Sequence, residues 1–272
     1  MTRGPLRGPT RVNPTPSGGG GGSGIYAAAD GAAISAYVGG IIGSSDDLTP
    51  AACWPFDTDA IDIIGAVELV ASGSAALAAS AHGQAAVIAP WPDDDADDVG
   101  GAWQTADATA LAFTIEPWLF VVRVSINAAP PATRALLGRG SAASPHYMLG
   151  VDTSGQFFGR AKQMGAPTVA TLTGGVADGA PRWVALYRTV TNQKLGVATA
   201  ALGAAEAAFA DTVNLSNGSA AVGLYDNLNS NSPPKGGIDS AVEHWLAWKG
   251  AAAETLIAEL DTLLAGLEAA EG

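Results

Sequence analysis

Cysteine is almost missing from this chain. The single residue, Cys53, permits no disulfide within the chain and no cysteine-based metal site. Beside Trp54 it reads as a small buried hydrophobe. Basic residues are scarce as well: 13 Lys and Arg stand against 26 Asp and Glu, for a net charge of −13. Neutralising a phosphate backbone needs clustered Lys and Arg, so nucleic acid is excluded as a partner, and the acidic balance serves solubility. Long apolar runs are missing too. The most apolar early stretch, Ile25 to Ile42, is broken by Asp30 and several glycines. It falls short of the ~18 uninterrupted apolar residues of a membrane span. The Arg- and Pro-rich beginning carries no apolar signal-peptide core, so synthesis in the cytosol is expected. Enzyme signatures are equally thin. No Gly-x-Ser-x-Gly elbow, P-loop or nucleotide-binding glycine motif occurs. His82, His146 and His244 have no ligand partner at metal-binding spacing.

What the chain does have is a series of short apolar runs separated by turn residues, from Phe113 to Trp245. They are Phe113 to Val124, Leu136 to Gly140, Tyr147 to Asp152, Arg182 to Arg188, Ala221 to Tyr225 and Gly236 to Trp245. Such runs, rich in Val, Ile, Tyr, Phe and Trp and bounded by Gly, Asn, Asp, Ser and Pro, predict β-strands. Gln156 to Arg160 and Lys194 to Ala198 add two more, and Leu77 to Ile88 a weaker one. Many short strands with turns between them predict an all-β fold of two packed antiparallel sheets.

The order of pieces carries a resemblance. Trp54-Pro55-Phe56-Asp57 is followed by Gly65, Gly83-Gln84-Ala85, Phe113-Thr114-Ile115 and a Gly138-Arg139-Gly140 turn. Then come Tyr147 to Val151, Trp183 to Tyr187, and Gly237-Ile238-Asp239 with Trp245. Over roughly Cys53 to Leu264 this resembles the concanavalin A-like lectin/glucanase superfamily, in particular laminin-G-like domains of phage and bacterial surface proteins. The resemblance implies a two-sheet antiparallel jelly-roll sandwich with an N-terminal arm and a C-terminal helix. Trp54, Trp183 and Trp245 match positions that are usually structural. For function it is weaker, because that fold hosts enzymes, lectins and inert domains.

Four segments follow from the pattern. Residues 1–24 form an extended Arg/Pro/Gly-rich arm, with a crude Arg-Gly-Pro repeat and then a glycine run. It cannot bury enough apolar surface to fold alone. Arg3, Arg7 and Arg11 are its candidate anchor, pairing with acidic groups of an assembly. Residues 25–50 are an apolar docking segment in strand or short-helix form, since Ile34, Tyr37, Val38, Ile41 and Ile42 have helix-like spacing that Gly39, Gly40 and Gly43 weaken. It is either a subunit interface or a flap over one end of the sandwich. Residues 51–249 are the sandwich and residues 250–272 the C-terminal helix. Leu256, Ile257, Leu260, Leu263, Leu264 and Leu267 make that helix's apolar stripe, which packs on the sandwich or bundles with a second copy.

Two loops attract functional readings. Asp93, Asp94, Asp95, Asp97 and Asp98 form a dense acidic run. It is a candidate Ca²⁺ site or a solvated loop, and it lacks the spaced carboxylates of an EF-hand. No other cofactor is expected. Asp226 to Pro234 is a long polar loop in which Asp226, Asn227 and Asn229 are candidate glycan contacts. Trp91, Trp103 and Trp118 are the aromatic candidates, for stacking on sugar rings or for core packing.

Glycoside hydrolysis needs two carboxylates at fixed separation. The glucanase branch of the resembling superfamily carries them as Glu-x-Asp-x-x-Glu or Glu-x-Asp-x-Glu, and neither occurs here. None of the eight glutamates shares a predicted sandwich strand with another. Asp239 and Glu243 share one run, but an extended chain holds such a pair about 13 Å apart, too far for either mechanism. The expectation is therefore a non-enzymatic structural protein of a virion, such as a phage head decoration, head fibre or tail component. It would be a homo-oligomer bound to capsid or tail proteins through its arm, with host surface polysaccharide as a further partner. The alternative is a carbohydrate-binding adhesin without a structural role.

Overall fold

The computed structural model describes residues 24–72, 75–80, 83–88, 102–105, 111–113, 115–131, 133–139, 146–162, 166–209, 222–223 and 238–271. Two antiparallel sheets stack face to face. The first contains β1 (Ala52–Trp54), β3 (Ala76–Ser80), β4 (Gly83–Ile88), β6 (Trp118–Ile126), β11 (Arg182–Thr189), β12 (Lys194–Thr199), β13 (Gly203–Ala208) and β15 (Ser240–Lys249). The second contains β2 (Val70–Ser72), β5 (Ala102–Thr105), β7 (Arg134–Arg139), β8 (His146–Val151), β9 (Phe157–Lys162), β10 (Thr168–Thr171) and β14 (Val222–Gly223). The first sheet runs β13-β12-β11-β6-β15-β4-β3, with β1 also paired to β15, and the second runs β10-β9-β8-β7-β14-β5-β2.

Strand β6 shows why the sequence builds this. Trp118, Phe120, Val122, Val124 and Ile126 face the second sheet, while Leu119 and Val121 face away from it. A strand apolar on both faces must be covered on both. The inner core is aromatic. Trp54 packs on Trp245 at 4.8 Å between ring centroids, and Phe113 stacks on Trp118 at 5.3 Å. Tyr147 donates its hydroxyl to the Leu111 carbonyl at 2.9 Å, which satisfies its polar end.

Helices cover the outer face. α1 (Gly31–Ile42) starts at Asp30, whose side chain accepts the Ala33 N–H at 2.9 Å, and stops at Gly43 in the left-handed region at φ 70°. α2 (Gly250–Ala258) and α3 (Leu260–Glu271) follow β15. Ile34 and Val38 of α1 and Leu256, Leu263, Leu264 and Leu267 of α2 and α3 bury against Leu119, Val121, Trp183, Tyr187 and Leu246. Trp248 donates its indole N–H to the Leu48 carbonyl at 2.7 Å, tying the segment after α1 to β15. The result is three layers: helices, first sheet, second sheet.

Several sequence expectations need correction. Residues 25–50 hold a short 3-10 turn (Ile25–Ala27) and a full helix, seated on a sheet face rather than over an end of the sandwich. Gly138-Arg139 belongs to strand β7 and not to a turn, because Gly138 lies so close to Met148 of β8 that a side chain has no room. The run beginning at Phe113 enters its strand only at Trp118, after Pro117, which has no N–H for a ladder bond. The predicted single helix is two helices, broken at Glu259. Its leucine stripe packs on the sandwich.

Candidate functional site

The ends of the strands bring the two loops of interest together. β4 closes at Ile88, the register partner of Ser240, where β15 begins. On the second sheet β5 opens at Ala102, and Gly223 of β14 pairs with Gln104 beside it. The 89–101 and 224–237 connections therefore leave and join the two sheets at neighbouring points. Both attach at the same end of the sandwich. Trp91, Asp93, Asp94, Asp95, Asp97, Asp98, Asp226, Asn227 and Asn229 themselves lie outside the described residues, as do the arm residues Arg3, Arg7 and Arg11.

Described residues at this end form a polar frame. Asn127, just past β6, donates its side-chain amide to Asp239 Oδ1 at 2.7 Å, and its N–H to the Asp239 carbonyl at 2.9 Å. Asp178 forms a two-pronged ion pair with Arg182 at the start of β11. The hydrogen bond from Arg182, helped by the Ala180 N–H and the guanidinium charge, holds the Asp178 carboxyl down at about 2. In the β8–β9 hairpin, Asp152 Oδ1 accepts the N–H groups of Ser154 and Gln156, each at 2.9 Å. Every one of these three carboxylates is committed to a partner within the fold. Among the described residues no group of three or more His, Cys, Asp or Glu could hold a metal ion.

Two predicted contacts are overturned. Trp118 is 0 % exposed and Trp103 is 6 % exposed. Trp118 sits among Phe113, Phe120 and Tyr147, and Trp103 lies 6.4 Å from the Phe56 ring. Neither indole can stack on a sugar, because strand alternation turns both inward. The Asp239–Glu243 pair is likewise no catalytic dyad. A bulge between Val242 and His244 breaks the simple alternation of β15. Glu243 pairs with Arg123 in a nearly buried ion pair, while Asp239 takes the Asn127 amide. His244, also buried, stacks on Trp183 at 5.9 Å. Burial pushes the Cys53 thiol far up, with the Asp62 and Asp57 charges adding to it, so it stays an unreactive hydrophobe.

A second concave feature escaped the sequence reading. At the opposite end of β11, two adjoining hollows of about 340 and 360 Å³ lie between the first sheet and helices α2 and α3, sharing Glu206, Ile257 and Ala258. Tyr187 donates its hydroxyl to Glu206 Oε1 at 3.0 Å, and Lys194 Nζ stands 3.4 Å from Glu206 Oε2. Burial, then the bond to Glu206, pushes the Tyr187 phenol up, so it remains neutral. The signal for β13 was weak: Gly203 to Ala208 is mostly alanine, with Glu206 as its single charge.

No protein-family model and no curated protein matches this chain. Its fold is similar to solved structures. One is botulinum neurotoxin type C, whose cell entry is described as dependent on interaction with two ganglioside molecules (TM-score 0.54, 6% identity, 78% of this chain and 50% of that one). Another is the binding domain of botulinum neurotoxin DC in complex with rat synaptotagmin II (TM-score 0.56, 8% identity, 79% and 52%). A third is described as a receptor binding domain (TM-score 0.54, 10% identity, 76% and 48%). This chain spans about half the length of each of them. At such identities the likeness establishes the sandwich fold.

Proposed function

We propose that this chain is a non-enzymatic, lectin-like binding domain that contacts glycans at the end of the sandwich where the 89–101 and 224–237 connections attach. The observation that carries the reading is the convergence of those two connections on both sheets, at Ile88 beside Ser240 and at Ala102 beside Gly223. Trp91 belongs to the first connection and Asp226, Asn227 and Asn229 to the second, and an aromatic face with several hydrogen-bonding side chains is the set of groups that a sugar site uses. The fold is shared with a toxin described as interacting with gangliosides, which supports the same class of ligand. The occupied states of Asp239 and Glu243 favour binding over hydrolysis.

The finer reading is display on a particle. The Arg-rich arm precedes Ile25, which packs in the helical layer. It anchors the chain to capsid or tail proteins of a virion, and several copies present their sandwiches outward. The acidic run next to Trp91 in sequence would supply carboxylate ligands for Ca²⁺. The test is binding of the full chain to intact particles and to host-envelope polysaccharide, with Trp91→Ala and an arm lacking Arg3, Arg7 and Arg11 as variants. Sugar binding lost only with Trp91→Ala, and particle binding lost only with the arm variant, is the expected pattern. Release of reducing ends from the polysaccharide would contradict the non-enzymatic reading.

A further inference from the structure

The hollow between the first sheet and helices α2 and α3 has an apolar floor and an acidic rim. Pro117, Val190, Ile257 and Ala258 supply apolar surface, and Val190 is 42% exposed. Glu206, Glu254, Glu259 and Asp261 stand around it, all exposed. Lys194 stands beside Glu206. An apolar floor ringed by carboxylates fits a chain segment that alternates apolar and basic residues. It fits sugar poorly, because no aromatic face opens onto it: Tyr187, which lines it, is 3% exposed.

This protein contains such a segment. Residues 1–23 carry Arg3, Arg7 and Arg11 and no acidic residue, with Pro5, Leu6, Pro9 and Val12 among them. In a chain with net charge −13, these three arginines are a concentrated basic stretch. Their attachment point favours the cleft. Ile25 packs in the helical layer, in the same apolar cluster as Leu260 and Tyr187, which border the cleft. Twenty-odd residues can extend to about 70 Å, more than the breadth of a small domain. A tethered segment also meets its site at millimolar effective concentration, which favours its own arm over that of another copy.

We infer that the cleft bordered by Glu206, Glu254, Glu259 and Asp261 seats the chain's own N-terminal arm, with Arg3, Arg7 and Arg11 on the acidic rim and Leu6 toward the apolar floor. This goes beyond the proposed anchoring. The arm has a resting place on its own domain, and a particle must compete for it.

The test uses the full chain with Leu6 replaced by a photo-activatable benzoylphenylalanine, irradiated at low salt and mapped by peptide mass spectrometry. The expected adducts lie within residues 187–192 and 254–262 of the same molecule. Replacing Arg3, Arg7 and Arg11 by Gln leaves the folded domain untouched and should lower that yield on the order of tenfold, the combined effect of three exposed charge pairs. Glu206→Gln/Glu259→Gln/Asp261→Asn, checked for unchanged melting, should do the same. Adducts scattered over other surfaces, adducts only in dimers, or a yield indifferent to both charge changes would overturn the inference. Glycan binding takes place at the other end of the sandwich, so its loss or retention is read separately and leaves this result unaffected.

Discussion

Replacing Asp62 by Ala should cost more than any other single change at a carboxylate outside the ion pairs. Asp62 is 1% exposed and makes no salt bridge among the described residues. Its Oδ1 accepts the N–H of Cys53 at 2.8 Å and of Ile64 at 2.9 Å, and its Oδ2 accepts the N–H of Gly65 at 2.9 Å. These bonds fold residues 62–67 back on β1. The turn presents Ile63 and Ile64 to the helical layer, and offers the Val67 carbonyl to the Trp54 indole N–H at 3.0 Å. An alanine leaves three donors without their acceptor. The Cys53 N–H is buried and takes the full penalty, while those of Ile64 and Gly65 are partly open to water. At about 1–3 kcal/mol for a buried orphan and less for the other two, the loss should be about 3–5 kcal/mol. That would lower the melting temperature by roughly 10 °C in a domain of this size. Asp62→Asn keeps one acceptor oxygen and should lose about half as much. Urea unfolding followed by tryptophan fluorescence is the assay, since Trp54 and Trp245 sit against this turn's strand. A loss below about 1 kcal/mol for Asp62→Ala would refute the reasoning, because it would mean that water replaces all three bonds at no cost.

Further outcomes follow from other sites. Glu243→Ala removes the carboxylate paired with the buried Arg123 guanidinium and should cost about 3–5 kcal/mol by denaturation, whereas Arg123→Met with Glu243→Leu should recover most of it. Gln193 sits at φ 51° in the β11–β12 turn, so Gln193→Gly should raise stability by about 1 kcal/mol in the same assay. Gly266→Leu should unseat α3 from Ile41 of α1, speeding amide exchange in α1 ahead of global unfolding. Asp178 has a folded pKa of about 2, below the unfolded value, so its contribution is present above pH ~4 and disappears as pH falls through 2. NMR titration of its carboxyl checks this, and exposure to solvent keeps the stability effect small.

The sheets were legible because their strands carry uninterrupted apolar runs. Trp118 to Ile126, Arg182 to Thr189 and Tyr147 to Val151 are strands wherever periodicity is applied. Strands β10 and β13 were not, because Thr168 to Thr171 is short and Gly203 to Ala208 is nearly all alanine, so neither shows a pattern. The third layer was half visible. The leucine stripe of α2 and α3 announces a buried face, whereas the glycines of residues 31–43 left strand and short helix open for α1, which the Asp30 cap and contacts with α3 hold as a helix. The site was harder to read. A tryptophan's type does not say which way it faces, and register alone turned Trp103 and Trp118 inward. The bulge that turns Glu243 toward Arg123 has no signature in the residues around it. The cleft at Glu206 joins strands and helices more than 40 residues apart, a proximity that only the folded topology creates.

The claim at the centre of this account is that the loop-bearing end of the sandwich binds glycan. Titration of host-envelope polysaccharide into the full chain, beside Trp91→Ala and Asn227→Ala/Asn229→Ala variants of equal melting temperature, tests it most directly. The account predicts saturable binding by the parent chain and a loss on the order of tenfold or more in each variant, the worth of one stacked ring or a pair of hydrogen bonds. Binding of equal strength by all three proteins, or by none of them, would contradict it.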